Sequence, residues 1–256
     1  PKKYTNLTIN NMGKYIKGYV DLSAYDFREV PSILNDVSIE GILNIADNRI
    51  KNLNNFPLEC DSVDLSDNPL TSLVGIKQKY IRDLEASRTK IQNLEGCPEI
   101  VSQLLIKNCA SFNSLKGTLK EISGQPAYLT IRGTSLQTLE YCPKTNNNVS
   151  FHLDFNKITS LVGLPNKCND LNISDNNLTS LVGCPQHIKG DFGCKNNNLK
   201  TFDGFPRIIE GDVFMTVSHM FGNPLMIQHN YFERELHQRC KIYGRVELSD
   251  PSDLQI

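Results

Sequence analysis

Apolar and polar positions recur along this chain with a period of about 20 to 24 residues. Each period starts with an apolar-x-apolar pair, continues with a small polar residue, and ends with two apolar anchors three positions apart. Alternation of this kind predicts a short strand with one buried face. The pairs are Val20/Leu22, Leu43/Ile45, Val63/Leu65, Leu84/Ala86, Leu104/Ile106, Leu129/Ile131, Phe151/Leu153, Leu171/Ile173 and Phe192/Cys194.

The repeats are close copies of one another even when they are far apart. Residues 63–75 read VDLSDNPLTSLVG and residues 171–183 read LNISDNNLTSLVG. A unit of this length cannot bury its own apolar face, so successive units must stack on each other. We therefore expect an elongated, mainly β solenoid in place of a closed globule.

The pattern resembles the leucine-rich repeat L-x-x-L-x-L-x-x-N/C-x-L. The best copy is Cys60-x-x-Val63-x-Leu65-x-x-Asn68-x-Leu70, and the resemblance extends over residues 20–225. It implies a horseshoe with a parallel β-sheet on its concave face. The recurrent Leu-x-Gly-x-Pro segments argue against helices on the convex side. Short repeats of this kind resemble those of bacterial effectors and of bacterial and bacteriophage proteins.

A small polar residue stands two positions before most first anchors. Its side chain can bond the backbone of adjacent turns, so that buried peptide groups are not left unpaired. We expect a structural ladder along the solenoid, formed by Asn48, Asn68, Asn156, Asn176 and Asn197, with Asn223, Thr89, Thr134 and Cys109 in equivalent positions.

The two ends of the chain depart from the repeat and predict caps. Residues 1–19 are assigned to an N-terminal cap, residues 20–225 to about ten repeats, and residues 226–256 to a C-terminal cap and tail. The C-terminal segment predicts an amphipathic helix between Pro224 and Tyr243, with Gly244 as its stop. Val246–Leu248 could add one more strand.

Composition narrows the classes of function. The net charge of −1 favours neither nucleic acid nor an anionic membrane as partner. No apolar run is long enough to cross a bilayer, and the first residues lack the apolar stretch of a signal peptide. The eight cysteines fall at apolar or ladder positions and are interpreted as free thiols. Together these features indicate a cytoplasmic protein.

Catalytic motifs are missing from the sequence. There is no phosphate-binding glycine loop, nucleophile elbow or zinc-protease motif. His229, Glu233 and His237 are spaced for one helical face and could hold a metal, but a solvated polar face is favoured. Cys240 as a nucleophile is weaker still, because too few residues follow the repeats to form a catalytic domain. We expect a non-enzymatic protein without catalytic residues, metal or cofactor.

The strand residues that point away from the core are the candidates for binding. Asp64, Asp67 and Glu85 predict an early acidic patch, which basic residues and then acidic residues follow along the sheet. Leu105 stands out as an apolar residue among polar ones. We expect contacts from Asp64, Asp67, Glu85, Arg88, Leu105, Lys107, Arg132, His152, Asp154, Asn172, Asp175 and Lys195.

A strand face on the order of 45 Å long suits a protein partner. We expect a protein-binding module that acts as a virion or assembly component, or as an inhibitor of a host protein. One alternative is a carbohydrate- or surface-binding adhesin, against which the apparent scarcity of Tyr and Phe on the face argues. The other is an enzyme that uses the C-terminal helix.

Overall fold

The computed structural model describes residues 15–216 and 229–249. In these ranges the chain forms a parallel β-solenoid of about ten turns with one α-helix. The strands are β1 Tyr15–Asp21, β2 Ser38–Asn44, β3 Glu59–Asp64, β4 Tyr80–Glu85, β5 Ile100–Lys107, β6 Glu121–Ile122, β7 Ala127–Arg132, β8 Lys144–Thr145, β9 Val149–His152, β10 Lys167–Cys168, β11 Leu171–Asn172, β12 His187–Ile188, β13 Phe192–Gly193, β14 Ile208–Ile209, β15 Val213–Thr216, β16 Lys241–Ile242 and β17 Val246–Ser249. The helix is α1 His229–Arg239, and a 3₁₀ turn spans Ser32–Leu34.

The main sheet runs along the whole described solenoid in the order β1-β2-β3-β4-β5-β7-β9-β11-β13-β15-β17. Every pair is parallel, because each turn brings the chain back to the same side in the same direction. From β6 onward the strand of each turn is divided into two short pieces. The earlier pieces β10, β12, β14 and β16 form a second parallel sheet.

The core is a continuous apolar column enclosed by the turns. Both members of each predicted strand pair are buried, which confirms the alternation. The two apolar anchors that follow them are buried as well, for example Leu70 and Leu73 in one turn and Leu178 and Leu181 in another. Packing therefore depends on neighbouring turns, as the repeat period requires.

The Leu-x-Gly-x segments are tight turns without helix. In Leu181–Cys184 the N–H of Cys184 donates to the carbonyl of Leu181 at 2.9 Å, and Gly183 has a φ of 92°. A positive φ at the third residue is the mark of a type II turn, which favours glycine. Tyr141 adopts this conformation in one repeat, with a φ of 66°.

The asparagine ladder follows the strand ends. Nδ2 of Asn176 donates to the carbonyls of Leu153, Ile173 and Ser174 at 2.9, 3.0 and 3.1 Å. Its Oδ1 accepts from the N–H of Ile158 at 2.9 Å. The amides of the other ladder asparagines bond in the same way, at Asn48, Asn68, Asn156 and Asn197. Each side chain thus joins two turns through backbone groups, and Asn223 lies outside the described residues.

A second ladder, which the sequence analysis missed, stands where the divided strands are joined. Oδ1 of Asp170 accepts from the N–H of Asp191 at 3.0 Å, and Oδ1 of Asp191 accepts from that of Asp212 at 2.8 Å. Oδ1 of Asp212 in turn accepts from the backbone N–H of Arg245 at 2.7 Å. Its signal in the sequence is the Gly-Asp pair repeated at 190–191 and 211–212.

The C-terminal helix is shorter than expected. It ends at Arg239 and not near Tyr243, because β16 leaves the helix to pair with β14, and β17 then pairs with β15. Leu236 and Cys240 are buried as predicted, whereas Tyr243 is exposed. Gly244 is not a helix stop, since it lies where a Cβ would collide with the backbone of Gly211. Residues 224–228 lie outside the described residues.

Removal of one ladder amide should destabilise the solenoid. We expect Asn176→Ala to lower the free energy of unfolding by about 1–3 kcal/mol, because buried backbone groups on two turns lose their partner. Asn197→Ala should cost less, since Asn197 is only half-buried. The matched control is Asn177→Ala, an exposed neighbour that should change stability little. Equal urea midpoints for Asn176→Ala and Asn177→Ala would contradict the ladder.

Candidate binding face

The outward face is the side of the main sheet that points away from the core. It consists of four columns of side chains, each running across the strands. The first column is Ser62, Asp83, Gln103, Tyr128, Ser150, Asp170, Asp191, Asp212 and Arg245. The second is Asn44, Asp64, Glu85, Leu105, Thr130, His152, Asn172, Gly193, Phe214 and Glu247. The third, two residues further along each turn, is Ala46, Ser66, Ser87, Lys107, Arg132, Asp154, Ser174, Lys195, Thr216 and Ser249.

A fourth column follows directly after the third and has left-handed backbone. Its residues have φ between 53° and 66°, and they are Asp47, Asp67, Arg88, Asn108, Gly133, Phe155, Asp175 and Asn196. We call it the left-handed column. Asp, Asn and Gly tolerate this conformation best, so the backbone constrains the residue type here. The candidate contact residues Asp67, Arg88 and Asp175 stand in this column, so the backbone conformation limits which residues can replace them.

Charges on the outward face are paired between neighbouring turns. Arg88 contacts Asp67 through two hydrogen bonds of 2.6 and 2.5 Å, and these bonds lower the pKa of the Asp67 carboxyl. Nζ of Lys107 lies 3.7 Å from Oε1 of Glu85. The early acidic patch expected from the sequence is therefore partly neutralised, because Asp67 and Glu85 each have a basic neighbour.

Asp154 was expected to be a contact residue, and it does point away from the core, but Arg132 of the preceding turn covers it. The side chain of Asp154 is only 5% exposed and lies 2.7 Å from Nε of Arg132. Burial raises the pKa of the Asp154 carboxyl above its usual value, while the positive charge of Arg132 opposes part of that rise. The charge of Arg132 therefore serves the fold, and reversing it would destabilise the protein as well as alter the face.

Two further candidates are tied to the backbone. Oδ1 of Asp64 accepts from the N–H of Ser66 at 2.9 Å, and Oδ1 of Asn172 accepts from that of Ser174 at 3.1 Å. These bonds stabilise the bend at the end of each strand. Such positions are less free to vary than the sequence analysis assumed, although one polar atom of each side chain remains available.

Aromatic side chains are more frequent on the outward face than was expected. The rings of Tyr128 and His152 are stacked at a centroid distance of 5.9 Å. The Arg132 guanidinium lies 5.0 Å from the Phe155 ring, and Nζ of Lys195 lies 5.5 Å from the Phe214 ring. Assigning the register of each turn from its ladder residue could have placed these rings on the face.

Phe155 is the most unusual residue of the outward face. Its side chain is 51% exposed, and it stands in the left-handed column with a φ of 56°. A bulky residue in this region is a conformational outlier, which costs on the order of 1–3 kcal/mol. Burial does not offset that cost, so Phe155 is a candidate for a functional side chain.

The described residues hold no cluster of side chains arranged for a metal ion. No group of three His, Cys, Asp or Glu side chains in residues 15–216 and 229–249 is arranged to hold a metal ion. His237 and Glu233 lie 3.9 Å apart on the helix, and the His229 side chain lies outside the described part. One of the three side chains of the suggested metal site therefore lies outside the described residues.

No protein-family model matches this chain, and no curated protein is significantly similar to it. Within residues 15–216 and 229–249, no helix has both the length and the apolar character needed to cross a bilayer.

The Arg132–Asp154 pair leads to a pH-dependent prediction. We expect Arg132→Met to destabilise the protein by about 1–3 kcal/mol at pH 7, because a buried carboxylate loses its partner. The Asp154 pKa is raised in the folded state, so stability falls as pH rises from the ordinary carboxyl pKa of about 3.9 towards the raised value. The loss in Arg132→Met should therefore vanish in strong acid.

The matched control for this measurement is Arg88→Met. Arg88 and Asp67 are both well exposed, so their pair contributes about 0–1 kcal/mol. Equal effects of the two substitutions in urea denaturation at pH 7 would show that Asp154 does not depend on Arg132.

The cysteines give a prediction about reactivity. All eight are unpaired, and only Cys142 is more than slightly exposed. Burial raises the pKa of seven of their thiols, to about 12 for Cys60, Cys97, Cys142 and Cys168, to about 11 for Cys240, and further for Cys184 and Cys194. Without reductant, iodoacetamide should therefore add eight groups to the denatured protein but few to the folded protein at neutral pH. A pair that resists alkylation in denaturant would indicate a disulfide.

Proposed function

We propose that this solenoid is a leucine-rich repeat protein-binding module and that its partner docks on the outward face where β5, β7 and β9 adjoin. The central patch, as we name it, consists of Leu105, Tyr128 and Phe155. The single observation that carries the proposal is the exposed Phe155 on left-handed backbone. A fold gains nothing from an apolar side chain that is both strained and solvated, whereas a partner would bury it.

The neighbours of Phe155 support this assignment. Leu105 and Tyr128 are half-buried on the same face within two turns, so a partner that covers Phe155 would reach them as well. Arg132 lies against the Phe155 ring and is fixed by Asp154, which limits the motion of the patch before binding. Rigid aromatic anchors in the middle of a surface are typical of binding hot spots.

The surroundings of the central patch suit the rim of an interface. The pairs Glu85–Lys107 and Asp67–Arg88 place both signs of charge beside it. Charged groups at a rim contribute to the choice and orientation of a partner more than to affinity. The main sheet spans about 45–50 Å, which accommodates a standard protein interface of about 800 Å² per side.

The biological setting is proposed from the resemblance of the repeats. We place the protein in a bacterium or bacteriophage, as a virion or assembly component or as an inhibitor that occludes a host protein. Eight cysteines without a disulfide favour the reducing cytoplasm. The balanced charge favours a protein over nucleic acid or membrane as the partner, and binding does not require an enzymatic activity.

Replacement of Phe155 tests the proposal. Phe155→Asn supplies a residue that suits left-handed backbone, so it should leave the melting temperature unchanged or slightly higher. Loss of a hot-spot ring should weaken capture of the partner by about 2 kcal/mol, or roughly 30-fold. Pull-down from bacterial lysate and from purified virions, followed by mass spectrometry, measures the change.

The matched control is Val182→Asn. Val182 is 53% exposed, about as exposed as Phe155, but it lies in a Leu-x-Gly-x turn away from the outward face. Proteins that are pulled down by both the native chain and the Val182→Asn variant should not be pulled down by the Phe155→Asn variant. If Phe155→Asn captured the partner as well as the native chain does, the central patch would not be the docking site.

A further inference from the structure

The second column of the outward face is interrupted at Gly193. The residues before and after it in the column are Asn172 and Phe214, and the missing side chain leaves an open hollow of about 540 Å³. Its walls include His152, Asn172, Ser174, Asp191, Lys195 and Phe214. A hollow of this volume falls within the range of roughly 300–1,000 Å³ that is usual for small-molecule sites.

The backbone does not require glycine at this position. Gly193 is not among the residues with positive φ, and its equivalents in neighbouring turns are larger residues. A Cβ added there would lie 2.9 Å from Oδ1 of Asn172 and 3.3 Å from Oγ of Ser174, two atoms that already accept from the N–H groups of Ser174 and Lys195. Glycine at position 193 therefore leaves these bonds undisturbed and keeps the hollow open.

Three polar side chains around the hollow are held at one atom and free at another. Asn172 is fixed through Oδ1, Asp191 through the bond of its Oδ1 with the N–H of Asp212, and His152 through Nδ1, which lies 3.2 Å from Oγ1 of Thr130. Within the described residues, Nδ2 of Asn172, Oδ2 of Asp191 and Nε2 of His152 have no hydrogen-bond partner. Groups positioned in this way can bind a ligand with little loss of conformational entropy.

The charges of the walls select against an anion, because the carboxylates of Asp170 and Asp191 both line the hollow. Among the described residues, no group of three acidic, histidine or cysteine side chains is arranged there to hold a metal ion. Lys195 is itself bonded to Glu247 at 2.5 Å and lies near the Phe214 ring, so it is already neutralised. The remaining free groups include both a donor and an acceptor, which suits a neutral molecule whose groups both donate and accept.

Hydroxyl groups have that property, and an aromatic ring attracts the weakly positive C–H groups of a sugar. We propose that the hollow at Gly193 is a binding site for a neutral saccharide. The ring packs against Phe214, and its hydroxyls bond Asn172 and Asp191. This is a function of a different class from partner binding at the central patch. The two sites are neighbours, because Tyr128 of the central patch stacks on His152 at the wall of the hollow.

The test is a screen on a glycan microarray, followed by titration of the native protein with glucose, galactose, mannose and N-acetylglucosamine, observed by NMR. One small open site is expected to bind in the region of about 1 mM for a single ring. The amide signal of Gly193 should shift with the saccharide that binds, which tests the location without any substitution.

Two variants test the site itself. Gly193→Gln should fill the hollow and abolish the titration, and Phe214→Ala should weaken binding about tenfold or more. The matched control is Tyr19→Ala. Tyr19 is an exposed aromatic residue of the same sheet, but it lies on β1, at the far end from the hollow. This variant should bind the saccharide as the native protein does.

Several results would overturn the proposal. These are no binding of any neutral saccharide, binding that Gly193→Gln leaves intact, or titration without a shift of the Gly193 amide. A preference for sialylated or sulfated glycans would refute the neutral class. Loss of partner capture in Phe155→Asn with saccharide binding intact would separate the two sites.

Discussion

The structure depends on satisfying the backbone polar groups that each turn brings into the interior. A solenoid bends its chain several times per repeat, and each bend leaves N–H and C=O groups without strand partners. Here side chains take their place, through Asn48, Asn68, Asn156, Asn176 and Asn197 at the strand ends. The carboxylates of Asp170, Asp191 and Asp212 do the same where the strands divide. The apolar core can be continuous because these ladders flank it.

The ladders also fix the register, and the register determines the surface. Residues at the same position of successive turns pair with each other, so outward side chains line up in columns. Neighbours within a column belong to adjacent strands, which lie about 4.8 Å apart. At that spacing neighbouring residues are forced to interact, and like charges in adjacent turns would repel. The observed pairs, such as Arg88 with Asp67 and Lys107 with Glu85, follow from this spacing. Outward charge on such a sheet is therefore partly a structural requirement.

The sequence predicts the solenoid and its ladder well, because each turn repeats the same constraint and the copies reinforce one another. It predicts the face poorly. Alternation shows that Asp154 points away from the core, but its burial depends on Arg132, one turn earlier, lying over it. Phe155 was overlooked for a related reason, since its exposure and left-handed backbone follow from the bend after Leu153. The burial of an outward side chain depends on the side chains of the turns on either side of it. The pattern within one repeat therefore cannot predict that burial.

Departures from the column pattern are the best guide to function in a fold of this kind. A polar or paired residue on the outward face has a structural reason to be there, so its presence indicates little about binding. Phe155 and Gly193 break the pattern. The first exposes a ring on strained backbone, and the second removes the side chain from its column beside the backbone bonds of Asn172 and Ser174. Each weakens the fold slightly at its own turn, and in a solenoid such costs remain local. The two proposed sites are nevertheless neighbours on one sheet, since His152 at the wall of the hollow stacks on Tyr128 of the central patch, so the turn of β9 contributes to both.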